Sequence, residues 1–317
     1  MTFRGLRALF AATLLLIVAP AGASAQENAS APAGAVESKT DIITPHITDA
    51  HFIDLPSFSA EHGFVREVEL PRWAPVKIGS MEIDLSPTKH VVMMLVAALL
   101  CALVLVGAAR SQARTNATGK PPKGLANAIE AVVLYMRNEV ILPNVGHHGE
   151  GFVPFLLTLF FFILFANLLG LLPYGSTATG NISVTAALAI VSFIVIEIAG
   201  MRSLGKGYLN TIVYWPHDMP LAVKGPMTLI MTPVEIIGKI TKPFALAIRL
   251  FANMTAGHVV VLALLSLIFT FASWAIAPVP VLAATAIMVL ELFVAFLQAF
   301  VFTLLVSVFI GQVRVAH

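Results

Sequence analysis

The stretch Lys242-Pro-Phe-Ala-Leu-Ala-Ile-Arg-Leu-Phe-Ala-Asn-Met-Thr-Ala-Gly-His258 places a permanently charged guanidinium, Arg249, inside an otherwise apolar run. A charge at bilayer depth costs about 3 kcal/mol on insertion scales, so an arginine there usually faces a bundle interior, a water-filled cavity or a charged partner. Its surroundings decide the fold. The apolar segment from Pro226 to Ala277 is too long for one upright span and contains Pro233 and Pro243, which predicts a strongly tilted or broken helix. Pro278 and Pro280 then make a turn, and a last helix from about Val281 to Val313 is again longer than a perpendicular span requires. Two long, tilted neighbours of this kind can curve around a cylindrical partner.

Composition agrees with a membrane-embedded chain. Hydrophobic residues make up 58% of the 317 residues and charged residues 11%, which is far more apolar than the soluble average. A net charge of +2 leaves no electrostatic footprint for nucleic acid, so partners belong in the membrane. The one cysteine, Cys101, lies in an apolar run, cannot form an internal disulfide and carries no redox implication.

Outward from the decisive stretch, the rest of the chain reads in order. Residues 1–25 carry Arg4 and Arg7, an apolar run from Ala8 through Pro20, and Ala23-Ser24-Ala25, the order of a secretory signal peptide cleaved after Ala25; an uncleaved anchor is the alternative. Residues 26–89 form an external segment that begins with a disordered Ala/Ser/Pro/Gly tract. Within it, Phe64–Leu70 and Lys77–Leu85 partly alternate apolar and polar residues, suggesting a small hairpin. His46, His51 and His62 lack regular metal-ligand spacing, and His147-His148 reads as a solvated turn.

The membrane domain, residues 90–317, holds five mature spans. His90 to Ala109 is the first, and Arg110, Arg114, Lys120, Lys123 and Arg137 after it place that side in the cytoplasm by the positive-inside rule. Gly124 to Leu142 has Leu125, Ile129, Val132, Val133, Met136, Val140 and Ile141 at helical spacing among polar residues, which fits an interfacial amphipathic helix. Phe152–Tyr174 and Asn181–Gly200 are the second and third spans, joined by an outer Gly/Ser/Thr turn. Arg202, Lys206 and Lys224 return the chain to the cytoplasm, and Arg314 ends the last helix there. The fold class is thus an all-α polytopic membrane protein, with five spans and one interfacial helix.

The polar residues inside these helices sort by depth. Glu235, fourteen positions before Arg249, lies on nearly the same helix face and roughly 21 Å toward the cytoplasm. Asn253 is one turn outward on that face, and His258 points toward whichever helix packs behind. Glu291 and Gln298 share a face of the last helix, and antiparallel packing brings Glu291 near His258. Histidine titrates near neutrality, so a His/Glu pair in a half-buried cleft suits a proton relay. An inner cluster with Glu235 and Lys242 and an outer cluster with Asn167, His258, Glu291 and Gln298 flank Arg249. Glu197, inside the third span, requires a partner or a cavity. Ion pairs that merely fix helix register explain each pair, but not the segregation. No nucleotide-binding loop, nucleophile-plus-base set or metal-ligand spacing appears.

The order Arg249-Leu-Phe-Ala-Asn-Met254 with Gly257 following, and Gln298-Ala-Phe-Val-Phe302 downstream, resembles subunit a of the F-type rotary ATP synthase, and the resemblance runs from about Ser86 to the C-terminus. It implies a stator ion channel of the Fo sector, not itself catalytic and without cofactor or metal. The implied partners are a c-ring of proteolipid subunits, peripheral-stalk b subunits, the rest of the F1Fo complex and membrane lipid. Proton-path roles carry over to Asn167, Asn253, His258, Glu291 and Gln298 on the periplasmic side and to Glu235 on the cytoplasmic side. By this resemblance the histidine and the acid of the outer pair, His258 and Glu291, are exchanged relative to some bacterial members, as in the mitochondrial form. Gly170 stands where some relatives place an acid. The signal peptide favours a bacterial inner membrane, with a periplasmic N-terminus and a cytoplasmic C-terminus. Two rivals remain: a secondary transporter, against which stands the lack of an internal repeat, and a non-conducting assembly scaffold. A histidine in the path favours protons over sodium.

Overall fold

A computed structural model describes residues 50–56, 65–73, 76–78, 81–83, 86–118, 124–146, 149–172, 177–213, 221–271 and 276–315. The signal-peptide reading, the Ala/Ser/Pro/Gly tract, His46, His62 and His147-His148 lie outside them. Among the described residues, four short strands come before the first helix: β1 (Phe52–Pro56), β2 (Val65–Glu69), β3 (Val76–Ile78) and β4 (Met81–Ile83). β1 pairs antiparallel with β2, and β3 with β4. The sequence expectation of one small hairpin from the 64–70 and 77–85 segments does not hold, because the first segment pairs with the upstream strand β1 and the second folds back on itself as β3 and β4. Val68 opposes Ile53, a pairing that alternation within 64–70 alone does not reveal.

Among the described residues, five helices are long and apolar enough to cross a membrane. They are α1 (Lys89–Thr118), α4 (Val153–Gly170), α5 (Ile182–Leu204), α6 (Leu221–Phe271) and α7 (Pro278–Val315). Between α1 and α4 lies α2 (Leu125–Tyr135), which runs through a π-helical turn, Met136–Ile141, into the single turn α3 (Leu142–Val145). Leu142 N–H donates five residues back to Arg137, and the wider turn keeps Met136, Val140, Ile141 and Val145 on one buried face.

The core is centred on α7, which packs against α3, α4, α5 and α6, while α1 covers the outside of α4. Phe160, Leu156 and Ile163 of α4 meet Phe302, Val306 and Ile310 of α7 in one fully buried cluster. At 100° per residue the α7 members repeat every four positions, so one ridge faces inward and the other side of the helix is left bare. Asn181 caps α5 by accepting the Ser183 N–H at 2.8 Å, and Gly205, at φ 55°, ends it in a conformation that side-chain-bearing residues rarely adopt.

The sequence left α6 either tilted or broken; it is one continuous helix of 51 residues with Pro226, Pro233 and Pro243 inside it. Its apolar span, Gly225–Ile268, is 44 residues, or about 65 Å at 1.5 Å each, so it cannot stand upright in a hydrocarbon core of about 30 Å. Leu246, Ala247, Leu250 and Met254 bury one face of it, while Ile230, Val234, Ile237, Phe244 and Ile248 leave the other face bare. Along α7, Val289, Leu290, Leu292 and Phe293 are likewise exposed. Contiguous apolar surface on this scale belongs against lipid or a partner protein.

Candidate functional site

Arg249 sits at the edge of the bare face of α6, exposed, and among the described residues no hydrogen bond or ion pair engages it. Ala245, Ala252 and Ala256, also exposed, keep the helix surface around the guanidinium shallow. One turn further on, Asn253 Nδ2 donates to Gln298 Oε1 of α7 at 2.9 Å. This bond leads from the exposed face into the bundle, because Gln298 is 1% exposed. The other end of the Gln298 amide, Nε2, is buried with no hydrogen-bond partner, a costly state unless water or a passing ligand satisfies it.

Three residues from Gln298, the Ala295 carbonyl of α7 accepts a hydrogen bond from Asn167 Nδ2 of α4 at 3.3 Å. Asn167 is fully buried and its Oδ1 accepts the Thr179 hydroxyl at 2.7 Å. Glu291, one turn earlier on α7, is buried, and its Oε1 has no hydrogen-bond partner. Its carboxyl group lies against Gly257 of α6, so closely that a Cβ there would overlap Oε1. Glu291 therefore meets α6 at the residue before His258, as antiparallel packing required. Asn167, Asn253, Glu291 and Gln298 thus gather along the seam between α4, α6 and α7, at the end of the bundle that carries the strands. Gly170 also finds its reason here, since any side chain would run into Thr177.

At the opposite end a cavity of about 160 Å³ opens between α5, α6 and α7, lined by Glu197, Thr211, Glu235, Lys239, Lys242 and Gln312 among others. Glu197 has the partner that its depth demanded. Lys239 Nζ lies 3.5 Å from Glu197 Oε2 and donates to the Tyr208 hydroxyl and to Thr211 Oγ1, each at 3.1 Å. The ammonium also lies 4.6 Å from the centre of the Tyr208 ring. Lys242 sits over Phe309 at 4.8 Å, and Glu235 is exposed at the cavity's rim. Glu235 and Lys242 are therefore brought together, and Lys239 is the member that sequence reasoning missed. Its signal was present: it stands four residues after Glu235 and three before Lys242, hence on the same side of the helix.

The described residues thus define a polytopic helical membrane protein whose buried polar side chains collect at two separate ends of one helix packing, with an exposed arginine between them. The profile of the family described as "ATP synthase A chain" matches residues 90–311. ATP synthase subunit a of Chloroherpeton thalassium is 46% identical over 273 residues, covering 86% of this chain and 76% of that protein. ATP synthase subunit a 2 of Chlorobaculum tepidum is 43% identical, with 93% and 79% covered, and subunit a of Anaeromyxobacter dehalogenans is 42% identical, with 94% and 76% covered. The chain belongs to the ATP synthase A chain family.

Proposed function

We propose that this chain is the stator ion channel of the Fo sector of a rotary ATP synthase. It passes protons through two offset half-channels to and from the carboxyl groups of a rotating c-ring, and so couples a proton gradient to ATP synthesis. The observation that carries this reading is the position of Arg249: exposed on a bare apolar helix face, engaged by no described residue, and flanked by polar clusters toward both ends of the bundle.

The electrostatics follow. A protonated carboxyl group moving along the bare faces of α6 and α7 meets the guanidinium, and a nearby positive charge favours the ionised carboxylate. Its proton leaves toward one cluster, and the next carboxylate to pass is recharged from the other. Arg249 also opposes direct passage of a proton between the clusters, because bringing two positive charges together in a poorly solvated site is costly. On the periplasmic side Asn167, Asn253, His258, Glu291 and Gln298 form the access path. On the cytoplasmic side Glu235 is the exchanging carboxylate, with Glu197 and Lys242 beside it. The subunit binds no nucleotide and does not itself catalyse hydrolysis; ATP chemistry resides elsewhere in the complex.

The bare faces of α6 and α7 take the c-ring and surrounding lipid. The π-turned helix α2 is an interfacial element suited to contact with the peripheral stalk b subunits. Residues 1–25 serve as a signal peptide and residues 26–89 as a periplasmic segment, in a bacterial inner membrane with the C-terminus of the 90–317 membrane domain in the cytoplasm.

The test is ATP-driven and gradient-driven proton transport in inverted membrane vesicles carrying Arg249→Ala, with assembly checked in parallel. Loss of coupled transport with the appearance of a passive leak supports the reading. Normal coupled transport in an assembled complex removes it and leaves Arg249 a structural charge, as an assembly scaffold would have it.

A further inference from the structure

His90, the second residue of α1, is 4% exposed, and its Nδ1 lies 3.1 Å from the Thr177 carbonyl oxygen. A carbonyl only accepts, so Nδ1 carries the proton and donates. Thr177 is a branch point. With Thr179 Oγ1 donating to Asn167 Oδ1, the Thr177 hydroxyl supplies the proton of the 2.7 Å bond to Thr179 Oγ1, and it also stands 3.3 Å from the Ala166 carbonyl of α4. Three buried links therefore join a histidine on α1 to the asparagine whose Nδ2 reaches Ala295 beside Gln298.

The strand segment fastens the chain just before His90. Trp73 N–H donates to Ser86 Oγ at 2.9 Å, Lys89 N–H donates to the Ala50 carbonyl at 2.9 Å, and the His51 ring stands 3.4 Å from the Pro87 carbonyl. The start of α1 is thereby held from both sides, by the strands and by the α4–α5 connection.

We propose that His90 is a positioning residue of the outer proton path: by holding Thr177 it sets the Thr177–Thr179 hydroxyl pair that aims Asn167 into the α4–α6–α7 seam. This rests on the reading of Asn167 as part of that path. The Nδ1–H donor is present in both the neutral and the charged ring, so the arrangement works as a fixed strut and not as a pH switch. The strand segment acquires a role through it, because Ala50, His51 and Trp73 fix the stretch from which His90 reaches inward.

The experiment uses the assembled complex in inverted vesicles, whose lumen corresponds to the outer side. ATP synthesis at fixed external pH and fixed membrane potential is followed as lumenal pH is varied. His90→Ala should move the half-maximal point toward acid by about one unit, so that roughly tenfold more protons are needed for the same rate. His90→Asn, whose amide N–H stands close to the position of Nδ1, should restore the normal curve, and a purely space-filling role would not produce that rescue. Thr179→Val, which cuts the link at Asn167 without touching His90, should reproduce the shift. An assembled His90→Ala complex with the normal curve overturns the proposal, as does a His90→Asn curve displaced as far as that of His90→Ala. If His90→Ala does not assemble, His90→Gln takes its place: its longer amide misses the Thr177 carbonyl, and a normal curve overturns the proposal while a displaced one supports it. Asn167→Leu separates the two levels. If it leaves the curve in place, the outer-path reading falls; if it moves the curve while His90→Ala does not, only the strut falls.

Discussion

The carboxyl group of Glu291 on α7 rests directly on the backbone of Gly257 on α6, in space that any larger residue at 257 would occupy. Two long helices approach each other there at the level of the outer polar cluster, and the hydrogen at Gly257 is what lets an acidic side chain lie between them. Gly257→Ala should push α6 and α7 apart or drive Glu291 into another rotamer, at a cost of about 1–3 kcal/mol. Coupled proton transport should fall at least several-fold with the complex still assembled. Equal transport in Gly257→Ala and wild type would mean that the carboxyl group does not work from this position.

The Lys239–Glu197 pair yields a prediction of a different kind. The side chains are 12% and 18% exposed, so removing one member strands the other in a poorly solvated cavity. Lys239→Met or Glu197→Leu alone should lower the stability of the solubilised complex by on the order of 3 kcal/mol, and the double substitution should recover most of that loss. Thermal unfolding of the four variants closes the cycle. A double variant no better than the worse single one would show that the two charges do not act on each other.

Gln298 is the residue through which α6 speaks to the interior of the bundle. Asn253→Leu removes the donor to its Oε1 and leaves a second unsatisfied atom on a side chain whose Nε2 already lacks a partner. A stability loss of about 1–3 kcal/mol is expected, together with impaired transport from the strand-bearing side. Asn253→Gln, which keeps an amide N–H, should lose less. Indistinguishable behaviour of the two variants would argue against the hydrogen bond as the relevant feature.

Cys101 provides a silent background for testing orientation. It is 3% exposed and faces an apolar cavity between α1, α4 and α5, so a membrane-impermeant maleimide should not label the native chain. Trp73→Cys, at a site 60% exposed among the strands, should be labelled from the outer face of intact cells. Arg202→Cys, near the end of α5, should be labelled only in inverted vesicles. The reverse pattern would invert the topology and exchange the two half-channels.

Much of this arrangement is legible in the sequence. Uncharged runs of about twenty residues locate helices because backbone polar groups in lipid must be satisfied within the segment. Arg249 stood out because charge at depth is costly. Helical periodicity puts Glu235 and Asn253 on one side of α6, and antiparallel packing of the last two helices brings Glu291 near His258. Side-chain partnerships between helices were harder to read. Glu197 demanded a partner, but that Lys239 supplies it depends on how α5, α6 and the Gly205–Thr211 turn pack. The strand pairing is illegible for the same reason, since a three- or five-residue strand carries too little pattern to choose its neighbour. His90 was invisible as a strut, because a histidine at the head of an apolar run looks the same whether it touches water or a carbonyl 87 residues away.

The unbroken course of α6 has a metric consequence. Glu235, Arg249 and Asn253 are carried on one rod, so their separations are counted in residues at about 1.5 Å and 100° each. A loop can gain or lose a residue and leave its ends where they were. A rod cannot: one residue inserted between Glu235 and Arg249 would slide the two sites apart by about 1.5 Å and swing one about 100° around the shaft relative to the other, from about 40° on one side to about 60° on the other. The sequence between them is therefore a gauge as well as a surface, and its length is under as much constraint as any side chain it bears.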